Sequence, residues 1–160
     1  VVLALQLVPD VNIHLVREEI HRFKQVNIAM AVDTDRGIVT PVINKAETLT
    51  IMELAKCSAG LVERARSASL ARADIKGGTF TVSNLGMFGI SEFQAIINPP
   101  QGAILALGKY EKRVVPGADG IRTAMIMRAT LSCDHRAIDG TLGAQFLSTL
   151  QKTLDDVTEL

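Results

Sequence analysis

The chain has 160 residues, 48% of them apolar and 4% aromatic, with 17 basic and 17 acidic side chains. That length suits one domain around a single core, and the balanced charge points away from nucleic acid or an anionic membrane as a partner. No apolar run approaches the roughly 20 residues of a membrane span, and the two cysteines, Cys57 and Cys133, form neither a metal motif nor a disulfide framework, which makes a reducing compartment the economical reading.

Val1 to Val8 reads as the end of an amphipathic helix whose beginning is absent. Pro9 closes it, because the residue before a proline avoids helical backbone. Asn12 to Val16 is a short strand and Arg17 to Glu19 a solvated turn. His14 and His21 fall in this polar stretch and read as solvated. Phe23 to Val32 alternates, with Val26, Ile28, Met30 and Val32 on one face. Asp33-Thr-Asp-Arg-Gly37 has turn chemistry, short side-chain acceptors followed by a glycine free to take positive φ. Ile38 to Ile43 returns as the second strand of a hairpin, and Pro41 confines it to an edge or bulged position.

Thr50-Ile-Met-Glu53 fits a capping box, with Leu49 and Leu54 spaced as a hydrophobic staple. It opens a helix in which Ile51, Leu54, Ala55, Ser58, Leu61, Val62 and Ala65 share a face. A polar continuation from Ser67 breaks at Gly77-Gly78. Thr79 to Val82 is a β-branched strand, Ser83 to Gly89 turns, and Asn98-Pro-Pro100 is a rigid turn. Ala103 to Leu107 is wholly apolar, as a central strand would be. Pro116 to Gly120 is a hairpin turn. Ile121, Thr123, Met125, Met127, Ala129 and Leu131 then alternate along a second long strand. Gly143, Phe146, Leu147, Leu150 and Leu154 line one face of a closing helix. Strands and helices do not strictly alternate, so the pattern predicts an α/β fold with a mixed sheet covered by helices on one face, not a doubly wound one.

The second long strand delivers Asp134 to Gly140, seven residues holding a histidine, an arginine and two aspartates. A histidine with carboxylates nearby at the exit of a strand is a candidate general base. The competing reading is a salt-bridged corner, with Asp134 paired to Arg136 and Asp139 capping the next helix through an N–H near Leu142. Ser83 is, on composition, ordinary turn vocabulary. Cys133 reads as a packed residue and not a nucleophile.

Asp134-His-Arg-Ala-Ile-Asp-Gly140 resembles the DHRxxDG signature of the dihydrolipoyl acyltransferases, core subunits of the 2-oxo-acid dehydrogenase complexes. Gly77 to Gly89, Ile96 to Gly108 and Gly37 to Ile43 are similar to further segments of that family, in the family's order. The resemblance implies a chloramphenicol-acetyltransferase-like two-layer sandwich, a CoA-dependent acyltransferase, assembled as homotrimers that build a larger core. It implies transfer of an acyl group between coenzyme A, as substrate, and a lipoyl group carried on a separate domain, without a metal. The implied partners are lipoyl domains and the decarboxylase and dihydrolipoamide dehydrogenase components. The family's catalytic domain is longer at its amino end, so residues 1–160 are expected to be its carboxy-terminal part.

By the same resemblance His135 is the general base, Ser83 the donor to the oxyanion, and Asp139 part of the active site. Donor and base are expected on different subunits, facing each other across the trimer interface. The Ser83 to Gly89 segment looks like the acetyl-transferring branch, which points to a pyruvate dehydrogenase complex; the succinyl branch often carries threonine at the position of Ser83. Acetoin-cleaving complexes, a non-catalytic structural core subunit and an antibiotic-acetylating relative remain as alternatives. A bacterial cytoplasm and a mitochondrial matrix are equally compatible.

Overall fold

A computed structural model describes residues 1–117 and 120–156. The elements are α1 (Val2–Leu7), β1 (Ile13–Val16), β2 (Glu19–Arg22), β3 (Ile28–Thr34), β4 (Gly37–Val39), β5 (Val42–Ile43), α2 (Ile51–Arg66), β6 (Phe80–Asn84), β7 (Ala103–Gly117), β8 (Gly120–Cys133) and α3 (Gly140–Asp155), with short 3-10 turns between some of them. The main sheet runs β4-β3-β6-β7-β8, and β5 also pairs with β3. β6 lies parallel to both β3 and β7, while the β7–β8, β3–β4 and β3–β5 pairs are antiparallel. β1 and β2 form a separate antiparallel ribbon.

The core explains the helix placement. Phe80 and Leu105 of the sheet, Ala4 and Leu5 of α1, Leu61 of α2, and Phe146 and Leu150 of α3 belong to one buried cluster. The Phe80 and Phe146 rings meet at 5.5 Å between centroids. Side chains alternate across a strand, so Val82, Leu105 and Leu131, aligned across β6, β7 and β8, pack against this cluster. Ser83, Ala106 and Thr130 therefore point to the opposite face. Ala103 to Ala106 are buried on both faces, which is why that run reads as wholly apolar.

Most predicted elements stand, and the departures have local causes. The strand expected from Phe23 begins only at Ile28. The buried Asn12 amide donates to the carbonyls of Phe23 at 3.0 Å and Gln25 at 2.9 Å, tying that segment to the ribbon's base instead of the sheet. β2 has no sequence signature, because Glu19 to Arg22 is mostly polar and exposed throughout, and only its pairing with β1 makes it a strand. The returning strand at 38–43 splits at Pro41 into β4 and β5, both on β3. Pro41 has no N–H to give, and its carbonyl accepts from Met30 at 2.8 Å.

The capping box at Thr50 and Glu53 is present in both directions. The buried stripe of α2 is narrower than its sequence suggests. Leu61 and Ala65 are buried and Leu54 is half-buried, while Ile51 and Ala55, roughly 60–100° round the helix from Leu54, face solvent. His14 is not solvated. Its Nε2 donates to the Gly78 carbonyl at 2.9 Å, and its ring stands edge-on to Phe23 at 4.4 Å. At the far end, β7 and β8 run past the sheet as a two-stranded arm, with Pro116 opposite Ile121. Ala118 and Asp119 of the predicted turn lie outside the described residues. Val114 and Ile121 on this arm are 68% and 84% exposed. No helix among the described residues is long and apolar enough to cross a membrane.

Candidate active site

β8 ends where β7 begins, with Cys133 opposite Ala103. The next residue, Asp134, donates its N–H to the Gly102 carbonyl at 2.8 Å, and its own carbonyl accepts the N–H groups of Ala137 and Ile138 at 3.0 and 2.9 Å. The chain thus turns tightly around Asp134. Ile138 is fully buried and pins the far side of the turn in the core. Asp139 then caps α3, its Oδ1 accepting the Leu142 N–H at 2.8 Å. Between these two anchors His135 projects outward, exposed.

The salt-bridged, helix-capping corner expected from the sequence is present. Arg136 donates to both oxygens of Asp134, at 2.9 Å from Nε and 2.6 Å from Nη2. The hydrogen bonds from this guanidinium hold the Asp134 carboxyl below the usual carboxylate range. Asp139 is the predicted cap. Both carboxylates are thereby occupied, and among the described residues neither they nor any other group bonds the His135 ring. The turn is a rigid frame that leaves an imidazole free. An open cleft adjoins it, lined by Arg136 and by Val16, Arg17, Glu18, Glu19 and His21 of the β1–β2 ribbon.

Ser83 is in a strand, not in the predicted turn. It sits inside β6 between Ala31 of β3 and Ala106 of β7, and two small neighbours leave its side chain room. The turn starts one residue later, where Asn84 Oδ1 accepts the Gly86 N–H at 2.8 Å. Ser83 Oγ makes no hydrogen bond among the described residues. The loop after it is clamped to β7. Leu85 donates to the Leu107 carbonyl at 3.1 Å, and Lys109 donates to the Ile90 carbonyl at 2.7 Å, at an irregularity in the β7–β8 register. Gly108 is required there, since a Cβ would stand 2.0 Å from the Ser91 carbonyl oxygen.

The structure does not bring Ser83 and His135 together within one chain. Ser83 aligns with Ala106 and Thr130. Cys133 lies three residues further along β8 and two strands across, roughly 10 Å in each direction, and His135 continues beyond it. The two candidate residues are presented separately, and among the described residues neither the Ser83 hydroxyl nor the His135 ring is hydrogen-bonded. Cys133 is a packed thiol, as expected, and burial pushes its pKa up to about 11. The engagement of His14 is not legible in the sequence, because a contact with Gly78, 64 residues away in the chain, fixes it and leaves no local signal.

The family model described as 2-oxoacid dehydrogenases acyltransferase (catalytic domain) matches residues 1–160. The chain is 43% identical over 160 residues to the mitochondrial dihydrolipoyllysine-residue acetyltransferase component of the pyruvate dehydrogenase complex of Schizosaccharomyces pombe, covering 98% of this chain and 33% of that protein. It is 42% identical over 152 residues to the corresponding component of Rickettsia bellii, covering 95% of this chain and 36% of that protein. The chain therefore spans about a third of the length of these relatives.

Among solved structures, dihydrolipoamide acetyltransferase of Azotobacter vinelandii aligns with a TM-score of 0.91 at 35% identity, over 96% of this chain and 64% of that one; a serine, a histidine and an asparagine have been investigated for their role in its catalytic mechanism. The cubic core of the pyruvate dehydrogenase multienzyme complex aligns with the same score, identity and coverage. Chloramphenicol acetyltransferase, at 14% identity and a TM-score of 0.58 over 94% of this chain and 72% of that one, shares the fold. The mixed sheet backed by helices is thus the fold expected from the sequence, and the chain belongs to the acyltransferase catalytic-domain family of the 2-oxoacid dehydrogenases.

Proposed function

We propose that this chain is catalytic machinery of a dihydrolipoyllysine-residue acetyltransferase of a pyruvate dehydrogenase complex, moving an acetyl group between coenzyme A and a dihydrolipoyl group on a separate domain. The observation that carries this is a spacing. The serine, histidine and asparagine of the Azotobacter vinelandii enzyme are 52 and 4 positions apart, and so are Ser83, His135 and Asp139. This chain has aspartate where that enzyme has asparagine; Asp139 Oδ1 accepts the Leu142 N–H here, and an asparagine would keep an oxygen for that bond.

His135, unbonded and exposed, takes the proton from the dihydrolipoyl thiol as the sulfur attacks the thioester carbonyl of acetyl-coenzyme A. The carbonyl π electrons move to oxygen, and the Ser83 hydroxyl donates a hydrogen bond to that oxyanion, a contribution on the order of 3 kcal/mol. Collapse re-forms the carbonyl and breaks the bond to the coenzyme's sulfur, which takes the proton back from His135. In the physiological direction the same steps run in reverse.

One chain holds Ser83 and His135 too far apart to serve one carbonyl. A homotrimer in which His135 of one protomer meets Ser83 of its neighbour supplies both. The exposed Val114, Ile121 and Met125 on the β7–β8 arm support such packing, since clustered exposed apolar side chains mark contact sites. The lipoyl domains, the decarboxylase and the dihydrolipoamide dehydrogenase are the partners this reaction needs.

Mixing protomers tests the arrangement. His135→Ala and Ser83→Ala proteins, each assembled alone, are expected to lose transfer from acetyl-coenzyme A to dihydrolipoamide by about 100-fold or more. Trimers assembled from a mixture of the two contain sites with both groups intact and should recover a substantial fraction. Failure to recover overturns the shared site, and full turnover in His135→Ala overturns the base.

A further inference from the structure

Two polar side chains are buried beneath the candidate site without a part in the transfer: Gln101 is 6% exposed and Thr81 1%. The Thr81 hydroxyl donates to Gln101 Oε1 at 2.5 Å. Gln101 Nε2 donates to the Gly78 carbonyl at 3.1 Å, and His14 Nε2 donates to the same carbonyl at 2.9 Å. Thr81 precedes Ser83 by two residues in β6, so the two share a face of the strand. Gln101 therefore grips the strand that presents Ser83, at its start and beside the serine.

The backbone at Gln101 reaches the other half. Its N–H donates to the Asn98 carbonyl at 3.1 Å, closing the Pro99-Pro100 turn. The next residue, Gly102, accepts the Asp134 N–H at 2.8 Å and donates to the Ile13 carbonyl at 2.9 Å. Gly102 has no space to move toward the ribbon, since even a Cβ would lie 2.7 Å from Ile13 Cγ1. Asp134 is the anchor of the turn that carries His135. One residue's side chain and the next residue's carbonyl thus connect the serine strand to the histidine turn.

We propose that Gln101 is a positioning residue for acyl transfer, a buried strut that holds the Ser83 strand and the His135 turn of one chain in fixed relation. This rests on the roles proposed above for Ser83 and His135. In a trimer those two groups serve two different sites, so each strut links neighbouring sites around the ring. A displacement of the serine on one side is transmitted to the imidazole on the other.

The test uses the assembled protein with Thr81→Val, which removes one hydroxyl at nearly constant shape and leaves Gln101 Oε1 without its donor. Two readouts are followed: hydrogen exchange at the Asp134 amide, and kcat with KM for dihydrolipoamide. The expectation is about tenfold faster exchange at Asp134 than in the wild type and a kcat lowered several-fold with KM within twofold, both restored in Thr81→Ser. Adding Gln101→Leu to Thr81→Val should cost no more than Gln101→Leu alone. The strut is overturned if Asp134 exchange stays at the wild-type value, if kcat does not fall, or if exchange rises equally across the whole chain. A wild-type protein without any acetyl transfer would overturn the proposed function instead, and the exchange comparison would then decide the strut by itself.

Discussion

Asp139 Oδ1 accepts the Leu142 N–H at 2.8 Å, so the last carboxylate of the turn that presents His135 is also the first fixed point of α3. The turn and the helix share one residue. Replacing Asp139 with alanine removes an N-cap and should lower stability by about 1 kcal/mol. Asp139→Asn keeps an acceptor oxygen and should hold the wild-type urea midpoint. Denaturation of the two variants side by side separates capping from any effect on transfer.

The Asp134–Arg136 pair gives an acid-side prediction. The carboxyl of Asp134 is held below its ordinary range, first by hydrogen bonds from Arg136. A depressed folded value means the stabilisation is present above the unfolded value, near 3.8, and is lost as pH falls through the folded one. In Arg136→Gln that acid-side loss should shrink. Thermal midpoints recorded from pH 6 down to about pH 2 would show the two curves converging at the acid end.

Gly108 and Gly140 should respond oppositely to alanine. A Cβ at Gly108 meets a backbone oxygen at 2.0 Å, so the loop after Ser83 must shift, and a cost of about 1–3 kcal/mol is expected. Gly140 begins α3 with no atom within 4 Å of where a Cβ would stand and no positive φ, so Gly140→Ala should be neutral or stabilise by about 0.5 kcal/mol. Melting curves of the two variants against wild type give the signs directly.

Cys133 provides the alkaline counterpart. Its thiol is raised from 9.0 to about 11 by burial. Below pH 9 both folded and unfolded thiols are protonated. Between 9 and 11 the unfolded chain loses this proton and the folded one keeps it, so stability falls with rising pH in that window. Cys133→Ala should lose this component, seen as a smaller drop in midpoint from about pH 8.5 to about pH 10.5. Native Cys133 should also react slowly with iodoacetamide at about pH 8, far slower than in the urea-unfolded chain.

What the amino-acid order determined by itself is local. The capping box at Thr50 and Glu53, the cap at Asp139, the ion pair of Asp134 and Arg136 and the interruption at Pro41 each act over about four residues or fewer, so adjacent side-chain chemistry suffices to read them. Tertiary structure decided what depends on distant pairing. Placement of Ser83 within β6 follows from registers with Ala31 and Ala106, 52 and 23 residues away. Engagement of His14 follows from Gly78, and the status of β2 as a strand follows from β1. The separation of Ser83 from His135 is of the same kind, because strand order and register set it, and these follow from burying one face of the whole sheet against three helices.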